Sequence, residues 1–80
     1  MRREEFKYKV AKNNIPESWF LINNGSQEDT FCLEEVYGKW YFYYYEKGNR
    51  ENELIFDNVE DALEILYKKL LIEKKYHGTI

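Results

Sequence analysis

The clearest hydrophobic pattern lies in the C-terminal third of the chain, where apolar residues recur with helical spacing. One helical face carries Val59, Ala62, Leu63, Leu66 and Leu70. Asp57 or Asn58 can cap its start, with Glu60 or Asp61 completing a capping box. Carboxylates crowd its first turn and lysines lie toward its end, and both arrangements suit the helix dipole. The pattern predicts a long amphipathic helix that packs on one side of the protein.

Four runs of aromatic and β-branched residues precede this helix and are separated by turn residues. They predict strands over residues 18–22, 30–37, 40–46 and 53–57. In the first segment, residues 3–12, alternating Phe6, Tyr8 and Val10 suit a strand, while the i, i+4 spacing of Phe6 and Val10 suits a helix. The sequence Asn13-Asn14-Ile15-Pro16 is a helix stop, so a short helix is favoured.

These elements together predict an α+β fold in a single domain, residues 1–80. We expect an antiparallel β-meander of three to four strands, with a short N-terminal helix and a long C-terminal helix packed on the sheet. Residues 77–80 are expected to fray. Because 80 residues bury only about 60% of the surface of the unfolded chain, bulky aromatic residues are needed for a stable core.

The third predicted strand contains six consecutive aromatic residues, Trp40 to Tyr45. Alternation divides them between two faces of the sheet. With a two-residue turn at Gly38-Lys39, one face holds Phe31, Leu33, Glu35, Tyr37, Trp40, Phe42 and Tyr44. This face, extended by Leu54 and Phe56, is the predicted core. The opposite face then carries Cys32, Glu34, Val36, Tyr41, Tyr43 and Tyr45.

Three explanations are open for Tyr41, Tyr43 and Tyr45. The N-terminal helix could cover them, so that the sheet is buried on both sides. They could instead form a surface that binds another protein, because tyrosine is enriched at interfaces. A homodimer through the same face is the third explanation.

Charge is distributed unevenly along the chain. The net charge is −3, but residues 13–64 hold three positive residues against twelve carboxylates, a balance of −9. The predicted sheet is therefore acidic, and such a surface attracts basic partners and repels nucleic acid. Cys32 is the only cysteine, so no internal disulfide can form. No apolar run approaches membrane-spanning length, and a cytoplasmic protein without membrane contact is expected.

Residues that could support catalysis are few. His77 is the only histidine and lies in the predicted frayed tail. Glu34 and Glu35 are adjacent in a strand, so they point to opposite faces and cannot form an acid–base pair. Cys32 is expected to be a small buried apolar residue. We therefore expect no enzyme activity, no metal site and no cofactor.

A nucleic-acid-binding function has one argument in its favour. The stretch from Gly38 to Tyr43 is similar to the aromatic strands on which RNA-recognition domains stack bases. Those sheets are surrounded by basic residues, whereas this one is acidic, and residues 23–29 are too few for the helix expected between the first two strands. Nucleic acid is therefore not an expected partner.

Several short motifs together resemble small immunity proteins of bacterial polymorphic toxin systems. They are Asn-Asn-Ile-Pro, Ser18-Trp19-Phe20-Leu21, Thr30-Phe31-Cys32-Leu33, Gly38-Lys39-Trp40, Tyr43-Tyr44, Glu46-Lys47-Gly48, Phe56-Asp57 and Glu60-Asp61-Ala62. The resemblance spans residues 5–70. It departs from the pattern at Trp19, where tyrosine is expected, at Lys47, where arginine is usual, and at Tyr41 and Tyr45, which are commonly polar.

This resemblance implies a non-catalytic protein that binds and neutralises a cognate toxin domain. Many such toxins are nucleases with basic substrate-binding surfaces, which an acidic partner can cover. The predicted partner-binding residues are Glu34, Tyr41, Tyr43, Tyr45, Glu46, Glu51 and Glu53. The alternative is a small self-associating structural or regulatory protein with a homodimer interface on the aromatic sheet, so a monomer and a homodimer both stay open.

Overall fold

The computed structural model describes residues 1–77 and confirms the α+β class. A helix α1 (Arg3–Lys12) and a 3-10 turn (Glu17–Trp19) precede a four-stranded sheet. The strands are β1 (Phe20–Ile22), β2 (Thr30–Val36), β3 (Lys39–Glu46) and β4 (Asn49–Phe56). A long helix, α2 (Val59–His77), follows the sheet. It continues through His77, and the rest of the predicted frayed tail, residues 78–80, lies outside the described residues.

The end of α1 and the start of α2 are formed by residues that the sequence predicts as a helix stop and a helix cap. Asn58 caps α2, because its side-chain oxygen accepts a hydrogen bond from the Asp61 backbone N–H at 2.8 Å and its amide donates to the Asp61 carboxylate. At the end of α1, Asn14 takes a left-handed conformation with φ of 54°, and the Ile15 N–H donates back to the Val10 carbonyl. The predicted helix for residues 3–12 is confirmed.

The four strands lie in the order β1-β2-β3-β4, but the first pair departs from the predicted meander. β2, β3 and β4 are antiparallel neighbours, whereas β1 runs parallel to β2 with Phe20 opposite Phe31. The predicted antiparallel meander of three to four strands is confirmed for β2, β3 and β4, and β1 joins it in parallel, because residues 23–29 form no hairpin and instead return the chain to the start of β2. β1 itself has only three residues, since residues 17–19 form the 3-10 turn.

The turn between β2 and β3 lies one residue earlier than predicted. Tyr37 and Gly38, with φ of 50° and 79°, occupy its two central positions, so Val36 is opposite Lys39 and Glu35 is opposite Trp40. The predicted turn and the observed turn both have two residues. Moving the turn by one residue therefore shifts the pairing of β2 with β3 by two positions, and every side chain stays on its predicted face. The assignment of β2 and β3 side chains to the two faces is therefore confirmed.

β4 is longer than predicted and contains a β-bulge. Phe42 is opposite Leu54, but Tyr44 is opposite Glu51 rather than Asn52, so one extra residue of β4 is inserted across from Tyr43. Asn52 has a φ of 56°, which asparagine tolerates better than most residues. The insertion reverses the alternation in the first half of β4. Arg50 consequently lies opposite Tyr45, and Glu51 lies opposite Tyr44 on the other face.

The core lies between the sheet and the two helices. Its buried residues are Phe6, Val10, Ile15, Leu33, Trp40, Phe42, Ala62, Leu63, Leu66 and Leu70. Phe31, Tyr44 and Phe56 are only half-buried, and Leu54 is 43% exposed, so the predicted core is right at its centre and too wide at the β4 edge. Asn13 joins the helices, donating hydrogen bonds to the Lys9 carbonyl and to the Tyr67 hydroxyl, each at 2.9 Å.

Candidate functional site

The face of the sheet with Tyr41, Tyr43 and Tyr45, here called the tyrosine face, is not covered by α1. Phe6 and Val10 of α1 pack in the core with Leu33 and Trp40. Phe6 also meets Phe20 edge to face, with ring centroids 5.4 Å apart. Both helices therefore lie on the core face, and the first of the three explanations for these tyrosines is excluded.

The loop of residues 23–29 covers one end of the tyrosine face. Its Ser26 hydroxyl and the Tyr43 hydroxyl share a hydrogen bond of 2.6 Å. Two residues further on, the Glu28 carboxylate accepts hydrogen bonds of 2.7 Å from the backbone N–H groups of both Lys47 and Gly48. Glu28 thereby ties the loop to the β3–β4 turn. Beneath this end, Thr30 and Cys32 are buried as well.

Tyr43 is the centre of this face and has no exposed surface. The Arg50 guanidinium lies over its ring, 4.2 Å from the centroid, a geometry that favours a cation–π interaction. The same guanidinium donates to Glu34 at 2.6 Å and to Glu53 at 2.9 Å. Arg50 thus holds one carboxylate from β2 and one from β4 in fixed positions over a buried tyrosine, and three strands contribute to one polar cluster.

The ionisable groups of this cluster respond to burial and to each other. Burial raises the pKa of the Tyr43 phenol, so the ring stays neutral over a wider pH range than in water. The hydrogen bond to Glu53, and secondarily the one to Glu34, raise the pKa of Arg50. Burial also raises the pKa of the Cys32 thiol, whose Sγ donates to the Thr30 carbonyl. Cys32 is therefore held as a neutral buried thiol, not as a reactive thiolate.

Beyond Arg50, the other end of the tyrosine face is open. Tyr41 is half-buried there and lies between Glu34 of β2 and Ile55 of β4, which is 58% exposed. Val36 in the next row is 38% exposed. At the margin, Lys39 forms an ion pair with Asp57, which lowers the pKa of that carboxyl group. The open end therefore combines an apolar centre with a rim of paired charges.

The structure divides the seven predicted partner-binding residues between two sides of the sheet. Five of them lie on the tyrosine face: Glu34, Tyr41, Tyr43, Tyr45 and Glu53. Of these, Tyr43 is fully buried and can act only by supporting its neighbours. Glu46 and Glu51 instead share the core-face side with Tyr44, at the end that α2 leaves partly open. A single surface containing all seven is not formed.

Sequence reasoning did not place Arg50, Ile55 or Lys39 on the tyrosine face. Arg50 could not be placed there, because simple alternation in β4 puts it on the core face and the bulge is not visible in the pattern. Ile55 and Lys39 could have been found, since both alternate with residues already assigned to the core face. Their positions follow from Trp40 facing Phe56.

Residues 1–77 contain no group of three histidine, cysteine, aspartate or glutamate side chains arranged to hold a metal ion. None of the helices within this range combines the length and apolar character needed to cross a membrane. Comparison with known proteins finds no matching family model, no similar curated protein and no similar solved structure.

Proposed function

We propose that this chain is a non-catalytic immunity protein, which binds and neutralises a cognate bacterial toxin domain through the open end of the tyrosine face. The observation that carries the proposal is the cluster itself, an exposed apolar centre beside carboxylates that Arg50 fixes in place. The sequence motifs that resemble immunity proteins support the same function.

The chemistry of the open end is that of a protein interface. Tyrosine and arginine are enriched among the residues that dominate binding energy, and such residues work best in a patch whose rim excludes water. Tyr41 and Ile55 supply the apolar centre, and the rim is charged. Glu34 and Glu53 form ion pairs with the Arg50 guanidinium, and the Tyr43 ring lies beneath it. Little side-chain freedom of Arg50 is therefore lost when a partner binds.

The charge of the chain supports a basic partner. The −9 balance of residues 13–64 belongs to the sheet, its loops and the start of α2, so the tyrosine face is part of an acidic region; on the face itself Glu34, Glu53 and Asp57 outnumber Arg50 and Lys39 by one charge. Nuclease domains that bind phosphates have basic surfaces. An acidic inhibitor would associate with them rapidly by electrostatic steering, and the association rate would fall as salt is added.

Growth rescue tests the proposal directly. The toxin domain encoded immediately upstream would be co-expressed with the wild-type chain, which should restore growth. A variant with Tyr41→Ala and Ile55→Ala should lose rescue, because truncating two interface residues of about 2 kcal/mol each weakens binding by roughly a thousandfold. The matched control is Tyr8→Ala with Leu71→Ala, which removes similar exposed groups from the helices and should rescue fully.

Circular dichroism of both variants separates binding from folding. The proposal stands if the Tyr41/Ile55 variant is folded and fails to rescue while the helix variant rescues. It is contradicted if no toxin-like gene is adjacent, if the wild-type chain does not rescue, or if the folded Tyr41/Ile55 variant protects as well as the wild type.

A further inference from the structure

A second surface feature lies on the opposite side of the sheet and has no role in the proposed function. Two adjoining cavities of about 800 and 290 Å³ share Phe31, Tyr44 and Glu73 in their walls. Together they form a groove, here called the acidic groove. It lies between the part of the core face that holds Phe31 and Tyr44 and the last turns of α2. It extends from Trp19 beside β1 to Leu54 and Asn52 at the β4 edge.

The floor of the acidic groove is aromatic. Phe31 stacks on Phe42 with ring centroids 5.9 Å apart and meets Tyr44 edge to face at 4.9 Å. Phe31 and Tyr44 are both half-buried, so part of each ring lines the groove. Two exposed apolar side chains also line the groove: Ile72 of α2, which is 50% exposed, and Leu54 of β4, which is 43% exposed. These side chains give the groove an apolar floor.

Carboxylates surround this floor. Asp29, Glu46, Glu51 and Glu73 line the groove, and within the described residues the only positive side chain among its lining is Lys69. Glu53 also lines it, but its carboxylate is bound to Arg50. Burial raises the pKa of the Tyr44 phenol, and the nearby carboxylates, Asp29 first and then Glu73 and Glu46, raise it further. The local potential at the floor is therefore negative.

We propose that the acidic groove binds an arginine side chain presented by an extended segment of a protein partner. A guanidinium is planar, stacks on aromatic rings and donates to carboxylates at its edges, and the groove offers both kinds of group. Glu46 and Glu51 form no ion pair within residues 1–77, so their carboxylates are available to a ligand. The stem of the arginine would pack against Leu54 and Ile72.

The chemistry of the groove discriminates against other cationic ligands. A lysine ammonium is a compact, strongly hydrated charge that loses more on leaving water and stacks less well than a guanidinium. The proposal does not rest on the proposed function, because the groove and the tyrosine face lie on opposite sides of the sheet. A partner that binds one surface need not bind the other.

Nuclear magnetic resonance titration of the full chain tests this inference with defined probes. The first probe is an acetylated and amidated hexapeptide of alternating glycine and arginine, and the second and third replace arginine with lysine or glutamate. We expect the arginine peptide to shift the backbone amides of Phe31, Tyr44, Glu46 and Ile72. The lysine peptide should bind at least about threefold more weakly, and the glutamate peptide should not bind.

A pair of matched variants assigns the site. Glu46→Gln with Glu51→Gln should weaken the arginine peptide by about fivefold, as expected for two exposed ion pairs. The control, Glu4→Gln with Glu35→Gln, makes the same change in charge at exposed positions away from the groove and should bind within about twofold of the wild type. The proposal is overturned if the shifts map to the tyrosine face or spread over all acidic surfaces. It is equally overturned if the lysine peptide binds as well, or if both variants weaken binding alike.

Discussion

Tyr43 is fully buried although no helix lies over its face of the sheet. Arg50 covers its ring, Ser26 binds its hydroxyl, and Tyr45 contacts its edge with centroids 6.5 Å apart. These contacts come from β4, from the loop of residues 23–29 and from β3 itself. A fully buried phenol needs a hydrogen-bond partner, and Ser26 supplies one. Tyr43 therefore belongs to a small second core beneath the proposed binding surface.

Substitution of Tyr43 should destabilise the fold in proportion to the atoms removed. Tyr43→Ala should lower the free energy of unfolding by about 3–5 kcal/mol, because it leaves a cavity and an uncovered Arg50. Tyr43→Phe should cost only about 1 kcal/mol, the contribution of the lost Ser26 hydrogen bond. Urea unfolding at pH 7 measures both. As the control, Tyr37→Ala should change stability by less than about 0.5 kcal/mol, since Tyr37 is fully exposed in the β2–β3 turn.

The same residue gives a dependence on alkaline pH. The folded-state pKa of Tyr43 is raised above its unfolded value of about 10, so the folded state holds the phenolic proton longer. This contribution is fully present below pH 10 and is lost as the pH rises through the folded pKa. Unfolding measured from pH 8 upward should show stability falling above pH 10, less steeply in Tyr43→Phe. An identical fall in the two proteins would contradict the assignment.

At the scale of elements, the sequence predicted what alternation and helical periodicity determine. The apolar face of α2, the stop after α1 and the two faces of β2 and β3 were correct, and the faces were kept even though the turn moved by one residue. The parallel pairing of β1 could not be predicted, because a three-residue strand carries no signal of direction. The bulge in β4 was also not predicted, since it accompanies a left-handed backbone conformation at Asn52 that the alternation of apolar residues does not show.

That bulge decides the composition of both proposed surfaces. With regular alternation, Arg50 would lie opposite Glu46 and Glu51 opposite Tyr45, so each would be on the other side of the sheet. One inserted residue instead brings Arg50 to Glu34 and Tyr43, and Glu51 to Tyr44. The bulge therefore moves Glu51 to the core-face side, whereas Glu46 lies there through the regular alternation of β3, which the sequence already shows.

The backbone of Asn52 should be sensitive to branching at Cβ. With φ at 56°, Asn52→Val should lower the free energy of unfolding by about 1–2 kcal/mol, whereas Asn52→Gly should leave it within about 0.5 kcal/mol. Asn24→Val is the control, because Asn24 is also exposed but does not have a positive φ. Equal effects of valine at both positions, measured by urea unfolding, would show that the left-handed conformation is not what stabilises the bulge.

At the scale of the whole molecule, positive and negative charges are concentrated in different parts of the chain. Residues 1–12 and 65–80 each carry a balance of +3, whereas the residues between them, which include the whole sheet, carry −9. Two copies meeting through their tyrosine faces would bring two sheets of net negative charge together. A basic partner avoids this repulsion. The charge distribution therefore favours binding to a different protein over self-association.

Light scattering with size exclusion distinguishes these two outcomes, and we expect a monomer at tens of micromolar chain. A stable interface buries about 800 Å² on each partner. Within residues 1–77, the exposed apolar groups of the tyrosine face are confined to Val36, Ile55 and parts of Tyr41 and Tyr45. Charged groups border them. A dimer that Ile55→Asp dissociates, and that Leu71→Asp on α2 leaves intact, would contradict this prediction. That result would assign the open end to self-association and favour the structural or regulatory alternative over the immunity function.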